Sequence, residues 1–434
     1  MAQRFSPVGS DAWTSGKDFT GRSSAARIEH MQKAYNEDAF IAYASSLRDG
    51  RTCTLSSKFS VGTRNFVKKI TFDDEVEWIV RLRMPPLEDF EEETERLSPP
   101  ESDSEKENEK RRERYEMQSE LDTMEFLLRH SAIPVPKVHG YDLDNKLIGV
   151  PFSIMDYIPG STAEKVSSAY PGSKSGIPAQ YAEKFWRQIA KTMLQLAFIR
   201  LPKIGSIIRD PSNPYAFVVG PLVYPGTGPY ASTAEFYNEY PLALANELRN
   251  TRLGELAEEL VEAFQSFVPC RSSPSISIDD KSSRGFALVN YDLGSQNVIV
   301  DSEFDILAVI DLDSVMAMPD AGLYNLPDFM GVEPVVPGTV RSFPWMIEYA
   351  RHGRQSVQIV EEVGREQSEK DHQGLEGNRM FVLTSAGFFS KEAVAFRSLI
   401  CIHTWQGAAM KNWLPGLKWL SEHSEAEVAQ FYEI

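Results

Sequence analysis

The chain has 434 residues, enough for two or three domain-sized units and a large core. Its hydrophobic fraction of 42% and charged fraction of 25% are those of an ordinary globular protein, and a formal net charge of −17 argues against a nucleic-acid partner, which calls for a basic balance or patch. Three widely spaced cysteines, Cys53, Cys270 and Cys401, make neither a metal spacing nor a disulfide framework, which fits a reducing, cytoplasmic compartment; no apolar run approaches the length of a membrane span or a signal peptide.

Residues 1–26 are rich in Ser, Gly and Thr and are expected to be poorly ordered. Arg27–Leu47 has helical spacing, and three strands follow: Thr52–Phe59, Phe66–Phe72 and Glu77–Leu82. Between the first two lies Phe59-Ser60-Val61-Gly62-Thr63-Arg64-Asn65. Its one glycine either lets backbone N–H groups approach a phosphate or makes a plain hairpin turn. There is no Walker A motif and no Gly-x-Gly-x-x-Gly. The third strand ends in Arg81-Leu82-Arg83, whose two arginines share one side of it; such strand-end arginines are commonly just solvated. Residues 85–114 are charge-dense without apolar periodicity and read as a mobile acidic insertion. Tyr115–Arg129 reads as an amphipathic helix with Met117, Leu121, Met124 and Leu128 as its stripe. Glu120 sits beside that stripe, and a carboxylate buried there needs a cation, which Arg81 would supply.

Pro151–Gly160 is a strand running into a Pro-Gly turn. Tyr181–Phe198 is a helix with Phe185, Ile189, Met193 and Leu196 on one core-facing side. Tyr237–Phe267 is helical, and Arg271–Arg284 is a Ser-rich linker. Phe286–Val289 is an apolar strand. Asn290–Gln296 is a polar loop. Val298–Val300 and Ile306–Ile310 are β-branched runs joined by a turn at Asp301–Asp305. A hairpin returns its two ends to one place, so Asp292, Asn297 and Asp311 are expected to converge. Asn297 and Asp311 offer hard oxygen ligands to Mg²⁺, and Asp292 is placed to take a proton from an attacking hydroxyl. An Asp followed five residues later by Asn arises about once by chance in such a chain; the flanking strands and the closing Ile310-Asp311 are what give it meaning. The competing reading is a surface hairpin with solvated carboxylates. Beyond Pro319, Pro344–Val363 and Lys391–Leu414 have helical character, separated by the polar Gly364–Gly377, and Trp405, Trp413 and Trp419 are expected in the core. No Gly-x-Ser-x-Gly exists, which disfavours a serine hydrolase.

Asn290-Tyr291-Asp292 with Asn297, then Ile310-Asp311-Leu312-Asp313, resembles the catalytic and metal loops of the aminoglycoside phosphotransferase and choline kinase group, relatives of the protein kinases. The group's pattern is His-Gly-Asp-x-x-x-x-Asn followed by Ile-Asp-Trp-Glu, so Asn290 stands in place of His and Leu312 in place of Trp. Ile133-Pro134-Val135-Pro136 after the Glu120 helix, and Leu201–Ile207, are similar to fungal members of the family. The resemblance runs from about Phe59 to Pro319 in the family's own order.

It implies a two-lobed, protein-kinase-like α+β fold. Residues 27–155 would be the nucleotide-binding lobe and 156–434 the catalytic and acceptor-binding lobe. It makes Asp292 the catalytic base and Asn297 and Asp311 the Mg²⁺ ligands. Gly62 and Asn65 would belong to a lid over ATP (or GTP). Arg81, braced by Glu120, would orient the phosphates, with Arg83 an alternative of the same strand parity. Met155, Asp156, Tyr157 and Ile158 would form the inter-lobe link whose backbone meets the adenine edge. The acids Glu361, Glu362 and Glu366 lie where the family shapes its acceptor pocket; they either receive a cationic acceptor or form a solvated helix face. The implied activity is phosphoryl transfer to a hydroxyl of an unidentified small molecule. The alternative is an inactive pseudokinase that binds nucleotide or acts as a scaffold, suggested by Asn290, Leu312 and an arginine where protein kinases have lysine.

Overall fold

The structure is a computed structural model and describes residues 9–14, 22–90, 103–170, 176–248, 259, 261–262, 265, 285–327, 330, 345–371, 383–400 and 408–431. The chain divides into two compact units. The first comprises Met1–Arg129, Ile133–Lys174 and Gln296–Ile310; the second comprises His130–Ala132, Ser175–Ser295 and Asp311–Ile434.

The first unit is built on an antiparallel sheet of five strands: β1 (Cys53–Val61), β2 (Asn65–Phe72), β3 (Glu77–Arg83), β4 (Val138–Asp142) and β5 (Phe152–Asp156), in the order β1-β2-β3-β5-β4. Alternation sorts its residues between two faces. Phe66 pairs with Leu82 and Leu82 with Phe152, so these three share one face, as do the paired Val80 and Ile154. All five are buried in one core with Ile28 and Met31 of helix α1 (Arg22–Ala34) and Phe40 and Ala44 of α2 (Glu37–Ser46). The expected single helix over Arg27–Leu47 is thus two. Asn36 separates them and caps the second by accepting the Ala39 N–H at 3.0 Å, as an N-cap asparagine does.

The sheet's other face carries Arg81, Arg83, Ile79 and Met155: Arg81 pairs with Val67 and Ser153, and Ile79 with Met155. Helix α3 (Asp103–His130) supplies the acids that meet these arginines. The helix expected over Tyr115–Arg129 therefore begins twelve residues earlier, and residues 103–114 of the expected mobile insertion are its first turns, laced by pairs such as Glu107–Arg111 at i,i+4. Residues 91–102 lie outside the described residues. Leu127 is buried in place of the expected Leu128, which is 42% exposed; Met117, Leu121 and Met124 are buried as expected. A smaller sheet, β12 (Ile306–Val309), β11 (Val298–Val300) and β6 (Ser161–Thr162), completes the unit with helix α4 (Ala163–Ser168). Part of the N-terminal stretch expected to be poorly ordered is also built in: Thr14 exchanges backbone hydrogen bonds with Phe59 at 2.9 and 3.1 Å.

The second unit holds a five-stranded sheet in the order β7 (Arg200–Leu201), β10 (Phe286–Asn290), β13 (Val315–Met318), β8 (Gly205–Asp210) and β9 (Asn213–Gly220). Gly205 has φ +154°, and a side chain there would collide with the Gly220 carbonyl, which is why the start of β8 needs glycine. Helix α5 (Ala179–Phe198) buries Phe185, Ile189, Met193 and Leu196 and packs on β10 and on α7 (Trp345–Asp371). Helices α6 (Thr233–Leu248), α8 (Ser385–Phe388), α9 (Lys391–Ile400), α10 (Ala408–Glu422) and α11 (Glu425–Phe431) complete it.

Gly364–Asp371, expected as a polar separator, continues α7, while 372–377, the Arg271–Arg284 linker, Trp405 and the Trp413 side chain lie outside the described residues. Trp419, expected in the core, is only partly buried and stacks on His423. Among the described residues no helix is long and apolar enough to cross a membrane. The fold class is mixed α+β, with a β-rich N-terminal portion and a mainly helical C-terminal portion.

Candidate active site

Arg81 lies mid-strand on the face of β3 that meets α3. Its guanidinium donates to the Glu120 carboxylate at 2.6 Å, and the two side chains are only 13% and 10% exposed. The pairing expected from the sequence is present. Arg83, two residues on, is more deeply buried. It reaches Glu113 at 3.3 Å and Glu116 at 3.6 Å. Burial pulls the Arg83 pKa below the usual arginine value, and the charge of Glu113 opposes that shift. Both arginines are thus matched by α3 glutamates, Arg81 through the shorter contact.

The β1–β2 turn holds Gly62 and Asn65. The Gly62 N–H donates to the Asn65 carbonyl at 2.9 Å, so it is engaged inside the turn. Gly62 has no left-handed φ, and nothing within 3.9 Å crowds its missing side chain. Arg27 of α1 anchors the turn by donating to the Thr63 carbonyl at 3.0 Å, and the Met84 N–H donates to the Arg64 carbonyl at 2.9 Å. Arg64 pairs with Glu116.

Met155, 1% exposed, and Asp156 end β5, and Tyr157 and Ile158 follow. The Asp156 N–H donates to the Lys137 carbonyl at 3.0 Å and the Tyr157 N–H to the Glu77 carbonyl at 3.3 Å, which ties this segment into the sheet. The Asp156 carboxylate bonds His139 Nε2 at 2.7 Å and accepts the Lys137 N–H at 3.1 Å; His139 in turn stacks on Trp78 with ring centroids 3.8 Å apart. Burial acts to raise the Asp156 pKa, but the hydrogen bonds from His139 and Lys137 prevail and hold it below the usual carboxylate range. The Tyr157 hydroxyl accepts the Ser10 N–H at 2.8 Å, so the N-terminal segment lies against the same residues.

Asn290 ends β10 in register with Val315. It is 8% exposed, and its Oδ1 accepts the Asp292 N–H at 2.9 Å. Such a side-chain-to-backbone bond two residues on fixes a turn in the way an aspartate or asparagine commonly does. Asn290 Nδ2 is buried with no hydrogen-bond partner among the described residues. Asn297, 4% exposed, closes a single 3₁₀ turn, and its carbonyl accepts the Ile310 N–H at 2.9 Å. The register Val298↔Val309 makes β11 and β12 the expected hairpin, whereas β10 pairs with β13, a strand not read from the sequence. Asp311, directly after Ile310, has φ +58°, one of five non-glycine residues with a positive φ among the described residues. A sparsely populated conformation of this kind recurs at functional residues. Leu312, at the position where the family has Trp, is 2% exposed. Asp292 and Asp311 belong to the second unit and Asn297 to the first. Among the described residues no group of three or more His, Cys, Asp or Glu is arranged to hold a metal.

The acids of the C-terminal helices are engaged within the second unit. Arg187 bonds Glu366 at 2.6 Å and lies 3.7 Å from Glu362; Glu361 accepts from Ser385 at 2.8 and 3.1 Å. Their visible work is to tie α5 and the start of α8 to α7.

The phosphotransferase enzyme family (APH) matches residues 57–319, more than half of the 434-residue chain, and the chain belongs to that family. No curated protein matches it. Solved structures it resembles include a protein assigned as an aminoglycoside phosphotransferase from Ralstonia eutropha, at 13% identity over 92% of this chain and 98% of that one, with a TM-score of 0.47. They also include a protein assigned as a fructosamine-3-kinase from Thermobifida fusca, at 14% identity over 89% and 99% of the two chains, with a TM-score of 0.45. A third is a thermostable mutant of aminoglycoside phosphotransferase APH(4)-Ia in a ternary complex with AMP-PNP and hygromycin B, at 12% identity over 91% and 98%, with a TM-score of 0.42. At such identities and scores, membership rests on the family match.

Proposed function

We propose that the chain is a phosphotransferase that takes ATP or GTP and acts on a hydroxyl of a small molecule. Its nucleotide-binding lobe would lie in about 27–155 and its catalytic lobe in 156–434, the two-lobed arrangement of protein kinases. The reading is supported above all by the buried Arg81–Glu120 pair, because a strand cation braced by a helix glutamate is the phosphate-orienting device of kinase-like enzymes. Arg81 orients the α- and β-phosphates. The base edge meets the backbone of Met155–Ile158 at groups other than the Asp156 and Tyr157 N–H, which are already bonded to the Lys137 and Glu77 carbonyls, and the β1–β2 turn with Gly62 and Asn65 lies over the phosphates. Asp292 accepts a hydrogen bond from the acceptor hydroxyl and takes its proton as that oxygen bonds to phosphorus, while the phosphoanhydride bond breaks and the nucleoside diphosphate leaves. Asn297 and Asp311 would hold Mg²⁺, which would supply positive charge to offset that of the phosphates. The Asn290–Asp292 bond does the loop-fixing work here that a histidine side chain does elsewhere in the family.

A second reading, a pseudokinase that binds nucleotide or serves as a scaffold, is favoured by Leu312, by arginine in place of lysine, and by the engagement of the Gly62 N–H inside its own turn. Titration calorimetry with ATP and GTP, with and without Mg²⁺, on wild type and Asp311→Ala separates the two. Metal-dependent binding that the substitution removes, together with Asp292→Ala binding nucleotide without transferring phosphate, is the expected result. Binding indifferent to metal and to both substitutions refutes the enzyme and leaves the scaffold.

A further inference from the structure

The β1–β2 turn presents a difficulty for phosphate binding by backbone alone. It contains one glycine, and that glycine's N–H is already bonded to the Asn65 carbonyl at 2.9 Å. A phosphate under this turn therefore calls for a side chain. The residue so placed is Arg64, at the turn itself, with a half-exposed side chain. Its backbone is fixed on both sides: the neighbouring Thr63 carbonyl accepts from Arg27 at 3.0 Å, and the Arg64 carbonyl accepts from Met84 at 2.9 Å. A turn held at both of its central carbonyls thus carries a long, half-exposed cation.

The partner of that cation is equally informative. Arg64 pairs with Glu116 of α3, and the same carboxylate oxygen lies 3.6 Å from the buried Arg83, which also reaches Glu113 at 3.3 Å. Glu113, Glu116 and Glu120 follow at spacings of three and four, so they line one side of the helix opposite Arg64, Arg83 and Arg81. The side chain of Glu116 is 12% exposed. A buried carboxylate left without a cation is costly. Here Arg83 remains beside Glu116 when Arg64 departs, so Arg64 is releasable without orphaning the acid. Arg81 and Arg83 have no such latitude, being buried against their own glutamates.

We propose that Arg64 is a phosphate-gripping residue of the nucleotide site, held by Glu116 when no nucleotide is bound and transferred to the β- and γ-phosphates on binding. This deepens the phosphotransferase reading and rests on it. The turn then does with one charge-assisted contact what a glycine-rich lid does with several backbone N–H groups.

The test is calorimetric binding of ATP and of AMP, both with Mg²⁺, to wild type, Arg64→Ala, Arg64→Lys and Glu116→Gln, with thermal unfolding of each. Arg64→Ala is expected to lose about tenfold in ATP affinity, the scale of a charged hydrogen bond, with AMP affinity unchanged. Arg64→Lys should recover part of the loss, and Glu116→Gln should bind ATP at least as tightly as wild type. Wild-type affinity for ATP in Arg64→Ala overturns the proposal while leaving the phosphotransferase reading intact. Equal losses for ATP and AMP, with or without a lowered unfolding temperature, also overturn it, because they mark a merely structural arginine. A wild type that binds neither ATP nor GTP overturns both readings.

Discussion

Removing Glu120 tests the centre of the proposed site. The Arg81 and Glu120 side chains are 13% and 10% exposed and 2.6 Å apart, so the small values typical of surface pairs do not apply. Breaking a buried pair by deleting one partner costs about 3–5 kcal/mol, because the surviving charge keeps its desolvation penalty without compensation. Arg83 lies on the same face two residues away and adds like-charge repulsion, while the residual exposure of Arg81 admits some water. Glu120→Ala is therefore expected to lose about 3 kcal/mol. The double variant Arg81→Met with Glu120→Leu removes both charges and keeps apolar volume, and should fall within about 1 kcal/mol of wild type. Urea unfolding followed by tryptophan fluorescence reads both values, with the buried Trp78 of the same strand contributing to the signal. A Glu120→Ala variant as stable as wild type, or a double variant as unstable as the single, refutes the buried-pair reasoning. The double variant also separates folding from function. It should fold yet lose nucleotide affinity, and a folded double variant that binds ATP normally refutes the role of Arg81.

Other expectations rest on single contacts. Asn290→Ala removes the acceptor of the Asp292 N–H at 2.9 Å and should lower phosphoryl-transfer rates while nucleotide affinity stays unchanged; transfer at the wild-type rate would show that the turn holds without it. A methyl group at Gly160 would lie 2.6 Å from both the Val300 carbonyl oxygen and the Ile299 side chain, so Gly160→Ala should cost about 2 kcal/mol or more in urea unfolding. The Asp156 carboxyl is held below its unfolded pKa, so the unfolded chain binds more protons on the acid side. Its contribution is fully present above about pH 4 and is lost as pH falls through the lower folded value. Asp156→Asn should therefore flatten the fall of stability below about pH 4, and an unchanged slope would show that the His139 contact does not bear on folding.

The strands were legible because their physics is local. Trp78, Val80 and Leu82 alternate with Glu77, Ile79 and Arg81, and the burial of β3 follows that alternation. Periodicity likewise found α5 through Phe185, Ile189, Met193 and Leu196. It failed at α3, whose first turns carry Asp, Glu, Lys and Arg with almost no apolar side chains, so a periodic test has nothing to detect. Those turns are held by charge pairs along the helix and by acids such as Glu113 facing a buried strand arginine. The break between α1 and α2 was missed for a different reason. Apolar spacing continues across Tyr35-Asn36, and the decisive signal was the capping asparagine followed by Glu37 and Asp38 in the first turn. β13 was missed because Val315–Met318 is a strand through its long-range pairing with β10, which no local window contains.

The same contrast explains which parts of the candidate site the sequence exposed. Glu120 was found because it is anomalous in its element, an acid beside an apolar stripe that requires a cation, and Arg81 was singled out by its resemblance to the family's strand cation. Glu113 was missed because it lay in a stretch read as solvated, and Glu116 because, within the expected Tyr115–Arg129 helix, Glu120 was the glutamate read as partly buried; the extension of α3 back to Asp103 turns their spacing into a line of acids facing Arg83 and Arg64. An extended charge ladder of this kind has a consequence for specificity. Every cation on the α3-facing side of β3 is already neutralised, so an incoming triphosphate gains only what it can win from a carboxylate. Arg64 is the member that can be won, because Glu116 keeps a second cation. Nucleotide affinity in this chain should accordingly draw both on Arg81, held in place by Glu120, and on the exchange of Arg64 between Glu116 and a phosphate.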